Sequence, residues 1–167
     1  MVEKEEIFST KMKSSGIFTF KEFYQFCYEW LRDETQLNLA EEKYEEKIAG
    51  DAKEIKIEWK GTRKVTDSFK YEIKVKYRVT KLKEIELTQE GRKIKTNQGD
   101  VEMKIAGSLL RDYEGKFEKG AFRKFLRSIY EKWVIPARIE QYEEKLIGDC
   151  DEFLAQAKAF LALEGKR

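Results

Sequence analysis

Histidine is absent from this chain of 167 residues, and proline occurs only once. Without histidine there is no imidazole general base, no Ser-His or Cys-His nucleophile pair and no imidazole metal ligand. The sequence also lacks a glycine-rich phosphate loop and a Cys-x-x-Cys pair. An enzyme would have to work with carboxylates, lysines, tyrosines or two separate cysteines. The sequence therefore favours a protein that is not an enzyme and that holds no cofactor and no metal.

Cysteines are few and apolar runs are short. Cys27 and Cys150 lie far apart inside apolar patterns, which predicts two buried free thiols rather than a disulfide. No run of about 18 apolar residues is present, so no membrane span is predicted. The first residues, Met-Val-Glu-Lys-Glu-Glu, are acidic where a secretory signal is basic and then apolar. We therefore expect a cytoplasmic location.

Charge is what the chain has in excess. Charged residues make up 40% of it, yet the formal net charge is only +2, and hydrophobic residues still make up 41%. This mixture is sufficient for one core, so we expect residues 18–167 to form a single α+β domain. Residues 1–17 carry few apolar groups, and we expect a flexible N-terminal segment there. The Lys- and Glu-rich composition also leans towards a thermophile or an archaeon.

The stretch from residue 53 to residue 106 alternates between apolar and charged residues. This alternation predicts strands with one apolar and one charged face. Glu90-Gly91 and Gln98-Gly99 predict tight hairpins, and a loss of phase between Thr80 and Lys83 predicts a bulge. We therefore expect a curved antiparallel meander of five or six strands. The apolar members of the pattern include Ile55, Ile57, Trp59, Phe69, Tyr71, Ile73, Val75, Tyr77, Val79, Ile85, Leu87, Val101, Met103 and Ile105.

An aromatic helix is predicted near the N-terminus, running to about residue 33. Thr19 and Glu22 match a capping box, and Phe18 with Phe23 matches a hydrophobic staple. The apolar set of this helix is wider than the stripe of a surface helix. The helix is therefore either buried on several sides or presents part of its surface to a second copy or another protein. The candidate partner-binding residues are Phe23, Phe26 and Trp30.

Residues 38–50 allow two interpretations. Ala40, Tyr44 and Ile48 recur at every fourth position, which suits a helix. Gly50-Asp51 is a two-residue hairpin signal, which suits a strand that pairs with the next one. We slightly favour the strand.

Two helices are predicted near the C-terminus, one from about residue 121 to residue 133 and one from about residue 137 to residue 163. The second has a continuous apolar stripe with an average step of about 3.7 residues, so it can lie across the whole apolar face of the sheet. Gly148 is a weak point within this helix. The stripe consists of Ile139, Tyr142, Leu146, Cys150, Phe153, Ala157 and Leu161.

The predicted fold class is thus α+β, with a curved antiparallel meander packed against a long C-terminal helix and the N-terminal aromatic helix. This arrangement resembles the helix-grip architecture of START-like domains, over residues 53–163. The resemblance implies a small hydrophobic ligand between the sheet and the final helix. The alternative is a packed core, because the inward side chains are large enough to fill the interior themselves. The candidate lining residues are Trp59, Phe69, Tyr71, Tyr77 and Met103.

A second resemblance covers most of the chain. Residues 71–105 and 125–146 look similar to uncharacterised proteins of small-genome archaea. This resemblance implies an archaeal, cytoplasmic origin and carries no activity, because such proteins have none assigned.

The charged face of the predicted sheet is basic. Residues 53–104 hold 15 Lys and Arg against 9 Asp and Glu. The glutamates interleave with the cations and offer cross-strand ion pairs, and the aromatic residues of the strands point inward rather than outward for base stacking. We therefore expect a solvated, ion-paired face and regard nucleic acid as an unlikely partner. The cations in question are Lys70, Lys74, Lys76 and Arg78, with Lys93, Lys95 and Lys104 nearby in sequence, and the glutamates are Glu54, Glu58, Glu72, Glu84, Glu86 and Glu102.

The densest carboxylate group lies at residues 149–152, beside Gly148. Neighbouring residues of a helix do not face each other, so this segment alone makes no metal site. The favoured function is a non-enzymatic intracellular binding or interaction domain, and in one version of it a small apolar ligand lies between the sheet and the final helix. The alternatives are a protein-interaction or homodimer module acting through helix 20–32, and a carboxylate-dependent enzyme.

Overall fold

A computed structural model of the chain describes residues 3–66, 69–111 and 135–164. These residues form a five-stranded antiparallel sheet and two helices. The sheet is not closed into a barrel, and its strand order is β1-β5-β4-β3-β2. The predicted α+β class and antiparallel meander are confirmed. The elements are β1 (Glu3–Phe18), α1 (Phe20–Glu34), β2 (Asn38–Ala49), β3 (Ala52–Lys64), β4 (Phe69–Gln89), β5 (Arg92–Arg111) and α2 (Ile135–Glu164).

Two hairpin turns fall where the sequence places them. Ala49 pairs with Ala52, so Gly50 and Asp51 form the predicted turn between β2 and β3. Glu90 and Gly91 join β4 to β5 with φ values of 51° and 77°. Positive φ at both central residues gives the turn twist that suits antiparallel strands.

The hairpin predicted at Gln98-Gly99 is wrong, because β5 continues through both residues. Gly99 is needed for a different structural reason. A Cβ atom at this position would lie 3.1 Å from the carbonyl oxygen of Thr80, so the glycine permits a close backbone approach at the bulge. The bulge itself is confirmed, since the β4–β5 register shifts between Thr80 and Lys83.

Residues 3–18 form an edge strand, although their few apolar groups predict a flexible segment. β1 pairs with β5 from Glu3 to Phe18. The physical reason is that an edge strand buries few side chains and therefore needs few apolar residues. Met12 points inward and is buried, whereas its neighbours Lys11 and Lys13 lie on the charged face.

The segment 38–50 is the strand that we favoured, and β2 forms the opposite edge of the sheet. Its side chains are mostly exposed and half of them are charged, which hinders pairing with another sheet edge.

Helix α1 begins with the predicted staple but without the predicted capping box. The rings of Phe18 and Phe23 pack edge to face at 5.9 Å, which confirms the staple. The Thr19 side chain makes no cap hydrogen bond. Instead the side-chain oxygen of Asn97, on β5, accepts a hydrogen bond from the backbone N–H of Phe20 at 3.0 Å. A residue distant in sequence thus performs the cap, which a local motif cannot reveal.

Helix α2 confirms the predicted stripe. It packs on β1, β5 and α1, while α1 packs beside β2. The close approach of α2 to the sheet depends on Gly107, where a Cβ atom would lie 3.1 Å from the Cys150 sulfur. The fully buried members of the stripe are Leu146, Cys150, Phe153 and Ala157. The helix predicted at 121–133 lies outside the described residues, and neither described helix is long and apolar enough to cross a membrane.

The contact between Gly107 and α2 yields a prediction with a matched control. Gly107→Val inserts atoms into occupied space and should destabilise the fold by about 1–3 kcal/mol. Gly148 lies on α2 itself, where an added Cβ meets nothing within 4 Å. Gly148→Ala should therefore stabilise the fold by about 1 kcal/mol. Urea unfolding followed by tryptophan fluorescence measures both. Equal effects of the two substitutions would contradict the packing of α2 against β5.

Candidate functional site

The five predicted ligand-lining residues all lie on the inner face of the sheet, but in different parts of it. Each is at least 95% buried. Trp59 and Tyr77 lie in contact with each other beneath α1, whereas Phe69 and Tyr71 lie beneath the first turns of α2. Met103 is fully buried on β5, opposite Tyr77.

An aromatic cluster fills the space between Trp59 and α1. The Trp59 ring contacts Tyr77 at 4.7 Å, Tyr24 at 5.2 Å and Tyr28 at 5.4 Å, all close to perpendicular. The hydroxyl of Tyr24 donates to Glu41 at 2.8 Å. Burial, helped by this hydrogen bond, raises the pKa of Tyr24 to about 12. These edge-to-face contacts are the geometry that aromatic rings prefer in cores.

Beneath the first turns of α2, the hydroxyl of Tyr71 already has a hydrogen-bond partner within the chain. Its hydroxyl donates to the Tyr142 carbonyl oxygen of α2 at 2.9 Å. Phe69 packs against the Tyr142 ring at 5.4 Å. Burial raises the pKa of Tyr71 to about 12. These contacts attach the start of α2 to β4.

Tyr77 carries a polar group that the interior leaves unsatisfied. Its hydroxyl is buried and has no hydrogen-bond partner within the described part of the chain. The Cys27 thiol of α1 lies beside it, but a thiol is a weak partner. Burial raises the pKa of Tyr77 well above its usual value. A buried polar group without a partner costs free energy unless a water or ligand reaches it.

The candidate partner-binding residues of α1 all contact α2, and Phe26 and Trp30 keep part of their surface exposed. Phe26 stacks on Phe160 at 4.9 Å, and Trp30 packs against Phe153 at 5.8 Å. Phe23 is 1% exposed. The wide apolar set of α1 is thus explained within the chain, because this helix packs on the sheet and on α2 at the same time.

The carboxylates near Gly148 lie on α2 and have local partners. Asp149 binds Lys145 at 2.9 Å, and Glu152 accepts a hydrogen bond from Gln156. Across residues 3–66, 69–111 and 135–164, no group of three or more Cys, Asp or Glu side chains is arranged to hold a metal ion. The pKa of Glu102 is lowered because Lys11 binds its carboxylate. A general acid needs a raised pKa, so Glu102 does not have the property of one.

On the outer face of the sheet, basic residues lie directly opposite one another on neighbouring strands. We call each set of residues paired across the strands a row. Three neighbouring rows cross all five strands and contain nine basic residues against three acidic ones. We call these nine residues the basic face. The middle row reads Lys11, Lys104, Lys76, Glu58 and Lys43 from β1 to β2. The other members of the basic face are Lys13, Lys56, Lys60, Lys74 and Arg78.

Ion pairs compensate only part of the basic face. The predicted cross-strand pairs are present: Glu102 binds Lys11 at 2.7 Å, and Glu58 lies 3.8 Å from Lys76. The other ion pairs are Arg78–Glu54, Lys43–Glu45, and a buried Glu72 shared by Lys4, Lys60 and Lys74. Among the nine residues of the basic face, Lys13, Lys56 and Lys104 make no ion pair with the described part of the chain.

Clefts adjoin one another along this face. One of about 220 Å³ lies over Lys76 and Lys104, and another of about 440 Å³ adjoins it at Arg78. A third, of about 600 Å³, is lined by Gly16 of β1 and also by Ala49 of β2. Since β1 and β2 are opposite edges of the sheet, the outer face is concave at this end, next to the basic face, as a twisted sheet allows.

Sequence reasoning identified part of the basic face. It placed Lys74, Lys76 and Arg78 on one strand. It missed Lys11 and Lys13, because the N-terminal segment was expected to be flexible; their alternation around Met12 was the available signal. It also did not single out Lys43, Lys56 and Lys60, which the register places on the same face. Lys93 and Lys95 pair with Thr88 and Glu86, on the part of the β4–β5 hairpin that extends beyond the other strands.

A comparison of the chain with protein families and with curated proteins finds no match.

The two thiols yield a prediction about pH. Burial raises the pKa of both Cys27 and Cys150 from 9.0 to about 12. The folded chain therefore keeps protons that the unfolded chain releases above pH 9. This contribution to stability is complete below pH 9 and is lost as pH rises towards 12, at about 1.4 kcal/mol per unit for each thiol. Urea unfolding at a series of pH values should show the fall.

Cys27→Ala is the control for this effect. Its stability should fall less steeply above pH 9 than that of the parent, because one titrating group is gone. At pH 8, a thiol reagent should modify the parent only after unfolding. Rapid modification of the folded protein would contradict the burial of the thiols.

Proposed function

We propose that this protein is a non-enzymatic binding domain whose binding surface is the basic face and whose partner is an anionic macromolecule. The observation that carries the proposal is the row in which Lys11, Lys104 and Lys76 lie directly opposite one another on three strands. Like charges in cross-strand positions destabilise a sheet. A partner with negative charge relieves this repulsion.

Exposure supports this role. The side chain of Lys76 is 61% exposed and that of Arg78 is 57% exposed. On the inner face, by contrast, α1 and α2 cover the aromatic residues of the central strands, and Tyr44 on the edge strand β2 stays 46% exposed. The basic face is therefore a large surface of one dominant sign that internal packing leaves accessible.

A pair of double variants tests the proposal. Lys76→Glu with Lys104→Glu reverses two cations of the middle row. Lys21→Glu with Lys158→Glu reverses two exposed cations on the helices. Both variants have the same net charge, so any difference reports position. On immobilised heparin, the first variant should elute at clearly lower salt than the parent, and the second close to the parent.

Two results would contradict the proposal. One is equal elution of the two double variants, which would mean that only net charge matters. The other is failure of the parent to be retained at all in low salt.

A second candidate is a small apolar ligand held between the sheet and α2, and two observations support it. The Tyr77 hydroxyl is buried, has no hydrogen-bond partner among the described residues and could contact such a ligand. The strand β1 also precedes the first helix, as in helix-grip proteins, although α1 alone stands where those proteins usually have two short helices. An archaeal, cytoplasmic origin belongs to the proposal as well, and so does association of two copies through α1.

Native mass spectrometry of protein purified from cells tests the ligand. The folded protein should carry excess mass that denaturation removes, and Tyr77→Phe should reduce it. Tyr44→Phe removes a hydroxyl that bonds to the exposed Glu46, so it serves as the control. If no excess mass is found and Tyr77→Phe stabilises the fold by about 1–3 kcal/mol, the interior holds no ligand and the hydroxyl is merely unsatisfied.

A further inference from the structure

We infer that the partner of the basic face is a double-stranded nucleic acid, bound through its phosphates without regard to sequence. This inference rests on the proposed function and specifies its partner. It departs from the expectation drawn from the sequence, because the register places more cations together than the glutamates of the face compensate.

The spacing of the cations suits a polymer with regular charge. Lys74, Lys76 and Arg78 are alternate residues of β4 and so recur about every 6.6 Å. Adjacent strands add cations at steps of about 4.8 Å. Such an array is larger than any single small anion needs, whereas a nucleic acid carries one charge at every residue along its strand.

The absence of outward aromatic residues distinguishes a duplex from a single strand. On the described strands, the rings of Trp59, Phe69 and Tyr77 all lie on the inner face. Proteins that bind single strands stack the bases on aromatic side chains, and each stacked base contributes substantially. A duplex keeps its bases inside and presents phosphates outside, which lysine ammonium groups bind as point charges.

Curvature distinguishes a duplex from a membrane. The depression that reaches from Gly16 to Ala49 makes the outer face concave at the end that adjoins Lys13 and Arg78 of the basic face. Five strands at about 4.8 Å spacing give a floor about 19 Å wide. A rounded duplex can contact the side chains of such a floor, whereas a flat bilayer contacts mainly its rim.

Lys104 separates a role in binding from a role in folding. It makes no ion pair within the described ranges, and its cross-strand neighbours Lys11 and Lys76 have the same sign. Lys104→Glu replaces two repulsive contacts with two attractive ones, so it should raise the Tm by about 1–3 °C. The same change should weaken binding to a duplex. A structural residue would show effects of the same sign on folding and function.

Fluorescence anisotropy with short labelled DNA and RNA duplexes tests the inference. The parent should bind two unrelated sequences equally, with Kd of about 1–100 µM at physiological salt. Affinity should fall steeply between about 50 and 200 mM salt. In Lys76→Glu with Lys104→Glu, the slope of log K against log salt should shrink by about 2, because two phosphate contacts are lost. The helix variant, Lys21→Glu with Lys158→Glu, should keep the parent slope.

The competing partners are tested in the same assay. Stronger binding of a single strand, of poly-glutamate or of phosphatidylserine vesicles than of duplex would overturn the inference and leave the proposed function intact. Failure to bind any of these polyanions, heparin included, would overturn both. Weaker duplex binding by Lys104→Glu together with an unchanged or higher Tm supports the inference, and unchanged binding overturns it.

Discussion

The antiparallel register of the five strands is the constraint on which both faces of this protein depend. Because side chains alternate with a period of two, a single register decides at once what is buried and what is displayed. Met103 and Ile105 are fully buried on β5, and Lys104 between them is therefore forced to the outer face. The apolar core and the basic face are two consequences of the same pairing.

Magnitudes explain why the sheet tolerates opposed lysines. Burial of a large apolar side chain contributes about 1.5–3 kcal/mol, whereas a cross-strand charge pair changes stability by about 0.2–1 kcal/mol. Ile105 and Met103 thus outweigh the repulsion between Lys104 and its neighbours. Once the core has decided the register, the sign of the outer residues is open to selection for binding.

Local signals predicted the elements that depend on local physics. The stripe of α2, the Glu90-Gly91 turn and the bulge after Thr80 all follow from spacing along the chain. The prediction of a capping box at Thr19 was wrong because Asn97, distant in sequence, supplies the hydrogen bond. The prediction of a turn at Gln98-Gly99 was wrong for a related reason. That glycine serves a close approach to the backbone of the neighbouring strand, and sequence alone cannot distinguish this use from a turn.

The sequence by itself determined the α+β class, the inward position of Trp59 and Tyr71, and the scarcity of groups for catalysis, since periodicity and composition are properties of the chain. Only the tertiary structure decided that residues 3–18 pair with β5 and bring Lys11 opposite Lys104. The physical reason is that strands pair through backbone hydrogen bonds, which are the same for nearly every residue type. The side chains therefore do not reveal which distant segments pair or in which register. The sequence thus predicts which residue types make up the charged surface, but it does not predict how they are arranged in rows across the strands.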